Sequence, residues 1–228
     1  MDDPGHDGDA RADAERDADD VDAALAAGAA LFNEGYVLAA HDPWEAAWLP
    51  LDADGDDGVA ADERLLHGLI AAAAATHHAR SRNWSGAVGC ATNAVEYLGA
   101  VDRTGRGVNV GPIREWCRRL AADPETIERA RPPAIRIGDA APGFDDLDLR
   151  AVLLAVPVLA GEIEVGTEAT LERAAEIARE ERGTGRATVT ELLFAYLRDP
   201  ETRPQVAARI ADRVELVERK RRDVDDLF

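Results

Sequence analysis

DERLLHGLIAAAAATHHARSR, Asp62 to Arg82, reads as one long helix, and the rest of the chain can be ordered around it. Leu66, Leu69, Ile70 and Ala73 recur at intervals of three and four, the period of a helix with one buried side. Asp62 stands where an N-cap belongs, because its carboxylate can accept from a free N–H of the first turn. His67, Ala71, Ala74 and His78 share a face of this helix, and its run of alanines lets a neighbouring helix approach closely.

Downstream, Asn83 should cap a further helix reaching about Val101. Gly105, Gly107 and Gly111 then break the chain, and Pro112 opens a short helix holding Trp116. Upstream, Leu25, Ala29 and Phe32 mark a helix that starts at Val21 and stops at Gly35. Tyr36 to Trp48 reads as a second helix. Pro43 should kink it, or begin its last part with Asp42 as N-cap and Glu45 as capping-box partner. Leu49 to Ala61 is an Asp- and Gly-rich loop, and residues 1–20 read as a disordered acidic tail.

Arg131-Pro-Pro marks a boundary, after which AIRIGDAAPGFDDLDL predicts one or two short strands around a turn. Helices follow at about 148–160, 167–182, 188–199 and 203–222. The expected fold class is therefore all-α. A compact N-terminal helical bundle over 21–130 is followed by a mainly helical region over 132–228, with a short β-hairpin between them.

The formal net charge is −19, from 45 acidic residues against 26 basic ones, and only one of the basic residues, Lys220, is lysine. Many carboxylates with almost no lysine suit a protein that works in molar salt, where the Debye length falls to ~3 Å and self-repulsion is screened. On that reading the acidity is a solvation device. It is then no clue to a cationic partner, and nucleic-acid binding is not expected. The N-terminus lacks an apolar signal core, and the longest apolar run, Ala151 to Ala160, is too short to span a bilayer, so a cytoplasmic protein without a membrane segment is expected. Cys90 and Cys117 lack any pairing or metal-binding pattern.

Aromatics are scarce, yet Phe32 to Trp48 gathers Phe32, Tyr36, Trp44 and Trp48 around His41 and Glu45. His41, Glu45 and Trp48 lie at i, i+4 and i+7 on one helical face. If this helix packs antiparallel to the long one, His41 and Glu45 meet His67 or His78, and both should be buried. The candidate pocket is then Tyr36, His41, Trp44, Glu45, Trp48, His67 and His78. Two readings stand. One is a polar network in which a carboxylate satisfies an inward histidine. The other is a ligand pocket, with a divalent metal as its rarest form, since helical bundles bind metals through His and Glu on facing helices. The paired Glu-x-x-His repeat of di-iron bundles is missing, so no metal and no cofactor is assigned.

These residues also carry a resemblance. Phe32-Asn33-x-Gly35-Tyr36 and His41-Asp42-x-Trp44-Glu45-x-x-Trp48 resemble the opening signature of the domain of unknown function 309 family, F-N-x-G, an aromatic, then H-E-x-x-E-x-x-W. Leu66-x-Gly68-Leu69-Ile70, His77-His78, Asn83-x-x-Gly86-Ala87 and Leu98 extend the likeness over roughly residues 25–100. Asp42 and Pro43 replace the usual Glu and a helix former, and His67 stands where glutamine is common. The resemblance implies a compact all-helical bundle and no particular activity, and the helix-rich region after residue 131 resembles extensions of haloarchaeal members.

Two further motifs are weaker. Asp52 to Glu63 places acids at calcium-loop positions one, three, five and twelve, but Asp57 occupies position six, where the turn needs glycine. Arg219-Lys220-Arg221-Arg222 is the one strong basic run, and it suits the negative end of a helix. The sequence thus points to a non-catalytic interaction or small-ligand-binding module with a His/Glu/Trp groove, for a small ligand, a protein partner or a second copy of itself. The rival is a metal-assisted hydrolase using His41 and Glu45 with His67 or His78. Whether the chain is an enzyme stays open at this point.

The charge balance generates a test. Exposed ion pairs contribute roughly 0–1 kcal/mol each and cannot offset 45 acids with 26 bases. Thermal unfolding at fixed pH should therefore occur at a higher temperature in 3 M than in 0.1 M KCl. Equal melting temperatures would refute the high-salt reading.

Overall fold

The computed structural model describes residues 6–51, 57–101, 105–181 and 188–225. They form ten α-helices and no strand, and the chain divides into two units, residues 1–142 and 143–228.

The first unit is built on α3 (Asp57–Arg80), which packs against α1 (His6–Asn33), α2 (His41–Trp48), α4 (Trp84–Gly99), α5 (Val110–Ala122) and α6 (Thr126–Arg129). Leu65, Leu66 and Leu69 of α3 are fully buried with Leu25 and Leu31 of α1, Leu98 of α4 and Leu120 of α5. Two glycines set the distances. A Cβ at Gly68 would lie 2.5 Å from Leu98 Cδ2, and one at Gly28 would lie 2.3 Å from the Trp44 indole. Neither position has room for a methyl group, so α4 rides on α3 at Gly68 and α2 sits on α1 at Gly28.

The helix ends follow local chemistry. Gly35, at φ 97°, ends α1: its N–H donates to Phe32 O and that of Tyr36 to Leu31 O, a Schellman closure. The Asn83 side chain caps α4 by accepting from Gly86 N at 3.1 Å. Asp62 does not cap α3, which begins at Asp57. It is held by Arg106, which donates to both carboxylate oxygens and also reaches Asp22 and Ala18 O. Asp42 is not an N-cap either. The helix starts at His41, so Pro43 falls in the first turn, where a missing N–H breaks no helical hydrogen bond.

Two expected segments take a different form. The stretch read as a disordered tail over 1–20 lies partly outside the described residues, and from His6 it is part of α1. It is rich in alanine, the best helix former, and it extends a helix already nucleated by the buried part of α1. The expected hairpin is reduced to isolated bridges, Val108 with Ile137 and Ile137 with Ala140. Side-chain amides take the place of a partner strand. Asn33 accepts from Ile135 N (2.8 Å) and donates to Ile135 O and Pro142 O (2.9 Å each), while Asn109 accepts from Arg136 N and donates to Ala134 O. Residues 134–142 therefore belong to the first unit, which ends at Pro142.

The second unit holds α7 (Leu149–Ile163), α8 (Glu168–Glu181), α9 (Thr188–Arg198) and α10 (Arg203–Asp225), close to the periodicity of the sequence. Leu159, Leu171, Leu193, Tyr196 and Ile210 fill its core. Buried Arg203 donates to Tyr196 O (2.8 Å) and Leu197 O (3.1 Å), so a cation satisfies carbonyls at the C-terminus of α9.

Two glycines should respond oppositely to alanine. Gly28→Ala forces the buried Trp44 indole to shift and should destabilise by about 1–3 kcal/mol. Gly89, inside α4 with nothing within 4 Å of where its methyl group would sit, should gain about 0.5–1 kcal/mol from the same change. Denaturant unfolding at constant salt measures both, and a neutral Gly28→Ala would contradict the close contact.

Candidate functional site

Seven residues were expected to form one pocket, and the fold distributes them over five places. Trp44 is fully buried against Gly28, with its indole N–H unpaired, so it is core and not a pocket wall. Tyr36 lies half-buried in the link between α1 and α2. His78 turns to the corner between α3 and α4, where its Nδ1 is 3.2 Å from Asn83 Nδ2 and its ring meets His77 edge-on at 5.9 Å.

His41 and Glu45 do pair, one turn apart on α2. His41 Nδ1 is 3.7 Å from Glu45 and 3.5 Å from Asp42, but the pair is not buried: the side chains are 27% and 44% exposed. No hydrogen bond, ion pair or ring contact among the described residues joins them to His67 or His78. The face expected to point inward runs along the rim because Pro43 and Trp44 are the residues of α2 that bury.

The fifth place is a cluster around His67. Its ring lies between two aromatics, 4.6 Å from Trp48 at a 41° tilt and 4.0 Å from Tyr97 at 23°, a stacked pair. Glu63, one turn earlier on α3, accepts from Trp48 Nε1 at 3.0 Å and stands 3.5 Å from His67 Nδ1. That nitrogen is buried and makes no hydrogen bond. Three helices thus contribute: α2 through Trp48, α3 through Glu63 and His67, α4 through Tyr97. All four residues keep some exposure.

Tyr97 and Glu63 were not among the expected pocket residues. Glu63 had a signal, its i, i+4 spacing to His67. Tyr97 had none, since nothing local ties α4 to His67. The calcium-loop reading of Asp52–Glu63 lies partly outside the described residues, and Glu63 is engaged with Trp48. Among the described residues no three His, Cys, Asp or Glu side chains converge to hold a metal ion, and no helix is long and apolar enough to cross a membrane. In the basic run, Arg219 pairs with Glu215 and Arg221 with Glu180.

The His41 pair has a pH signature. The contact with Asp42 raises the His41 pKa above 6.5, and the charge of Glu45 adds to this against partial desolvation. Protonation therefore favours the folded state. The stabilisation is fully present below pH 6.5 and is lost as pH rises through the higher folded value. Unfolding free energy should fall across that interval, and His41→Gln should remove this component of the slope. An unchanged slope in the variant would show that His41 is not its source.

A family model described as a domain of unknown function (DUF309) matches residues 25–90. No curated protein and no solved structure matches the chain. The matched stretch contains His41, Glu45, Trp48, Glu63, His67 and His78, while Tyr97 lies beyond it. The chain therefore carries a DUF309 domain at residues 25–90.

Proposed function

We propose that this chain is a non-catalytic, cytoplasmic interaction module, adapted to high salt, whose contact surface is the rim formed by α2 with the His67 cluster. The observation that carries this reading is the stack of Trp48, His67 and Tyr97, held partly exposed by Glu63. Partly exposed aromatics fixed in one geometry bind partners well, because they bring apolar area at little entropic cost. In the chain α2 is flanked by two exposed leucines, Leu38 (43%) before it and Leu49 (68%) directly after Trp48, which add exposed apolar surface at its ends. His67 fills the space between the two rings, which favours a partner laid across the stack over a small ligand inserted into it.

The rival reading, a metal-assisted hydrolase, needs histidine and carboxylate donors aimed at one point. Here they pair off separately: His41 with Asp42 and Glu45, His67 with Glu63, His78 with Asn83. The lone acid–histidine pairs support packing and charge balance better than catalysis.

Leu49→Ser tests the proposal without touching the core. Protein captured from an extract on the wild-type chain should include at least one stoichiometric partner that Leu49→Ser loses, with unchanged helical circular dichroism. Identical capture by both, or stoichiometric zinc, iron or manganese in protein purified without chelator together with hydrolysis that follows the metal, would overturn the module reading in favour of the hydrolase.

A further inference from the structure

The second unit has an open groove of about 360 Å³ between α7 and α8. Its two walls differ in chemistry. On the α7 side, Leu154 and Val158 are only half-buried, although most of α7 is core. On the α8 side, Glu168, Glu172 and Glu176 are exposed at i, i+4 and i+8, so their carboxylates form a row with about 6 Å between neighbours along the helix axis. Glu176 is paired with Arg173 at 2.5 Å, whereas Glu168 and Glu172 make no ion pair among the described residues.

Backbone features add to the same pattern. Glu168 lies over Gly161 at the end of α7, where a methyl group would come within 3.2 Å of its Oε2. Pro157 supplies no N–H to the Leu153 carbonyl one turn earlier, and both residues line the groove. The site is thus an apolar strip beside a row of acceptors, with Arg179 in its lining toward one end and Arg173 paired to Glu176.

We infer that this groove docks a basic amphipathic helix of a partner protein. An apolar strip beside a parallel row of anions is complementary to a helix that carries a stripe of leucine-like residues and, next to it, Lys or Arg at i, i+4 and i+8. The periods match because both rows are helical. The acidic wall selects the register and orientation of the incoming helix, and the apolar strip holds it when salt screens the charges. The groove belongs to the second unit and the α2 rim to the first, and either proposal can fail without the other.

The test uses the full chain, in salt at which circular dichroism shows it folded, and a labelled 18-residue helical peptide with a leucine stripe and lysines at i, i+4 and i+8. Fluorescence anisotropy should show saturable binding, at least tenfold weaker for E168R/E172R and several-fold weaker for Val158→Ser. A control with the same net charge, E96R/D212R, reverses exposed acids outside the groove and should change affinity less than twofold. Peptides with the lysines replaced by glutamate, or the leucines by serine, should not bind. Equal weakening by both double reversals would mean attraction to net charge alone and would overturn the proposal. No effect of Val158→Ser would do the same. So would a dimer at micromolar concentration that E168R/E172R dissociates, because the occupant would then be a second copy of the chain. Absence of peptide binding also overturns it, while leaving the α2 rim reading intact.

Discussion

The first unit depends on two places where a methyl group cannot fit: Gly28 beneath Trp44 and Gly68 beneath Leu98. Close-packed interiors transmit such constraints, since neighbouring helices can shift only as bodies. Gly28 fixes the height of α2 over α1, and Gly68 that of α4 over α3. Trp48 reaches His67 from α2 and Tyr97 reaches it from α4, so the aromatic stack is set by two glycines that touch none of its rings. The alanines of α3 extend the same close approach along that helix, and this is why a chain with few aromatics and few large side chains can still bury a continuous core.

Much of this was legible in the sequence because it rests on local chemistry. The Gly35 stop, the Asn83 cap and the four C-terminal helices depend on residues within a turn or two of one another. The DUF309 likeness was legible for a related reason, since its motifs cluster around those helix ends. The failures share a different cause. Asp62 looks like a cap until Arg106 arrives from a distant loop and takes both its oxygens. Residues 134–142 look like strands until Asn33 and Asn109 satisfy their backbone from the side. Pairings that long are decided by tertiary geometry, which a local pattern does not contain.

The candidate site shows the same division. The i, i+4 relation of His41 and Glu45 predicted their contact, but which face of α2 turns inward was decided by Trp44 seeking the space above Gly28. With Trp44 inside, the His41 face is carried to the rim, where its side chains stay partly exposed. His41 there adjusts its charge with pH. The aromatic cluster beside it, assembled from three helices, is the more specific feature, and only the fold discloses it.

Asn33 has a consequence for where a domain begins and ends. It lies inside the matched stretch, yet the three hydrogen bonds of its side-chain amide go to residues 135 and 142. Thr76, also inside, accepts from Trp116 Nε1 in the buried core, and His67 stacks on Tyr97. The segment that sequence comparison recognises is therefore smaller than the segment that can close its own hydrogen bonds. Residues 91–142 complete a structure whose recognisable signature ends at residue 90. Lineages could vary that completing segment freely only by replacing, from some other part of the chain, the backbone groups that Asn33 grips.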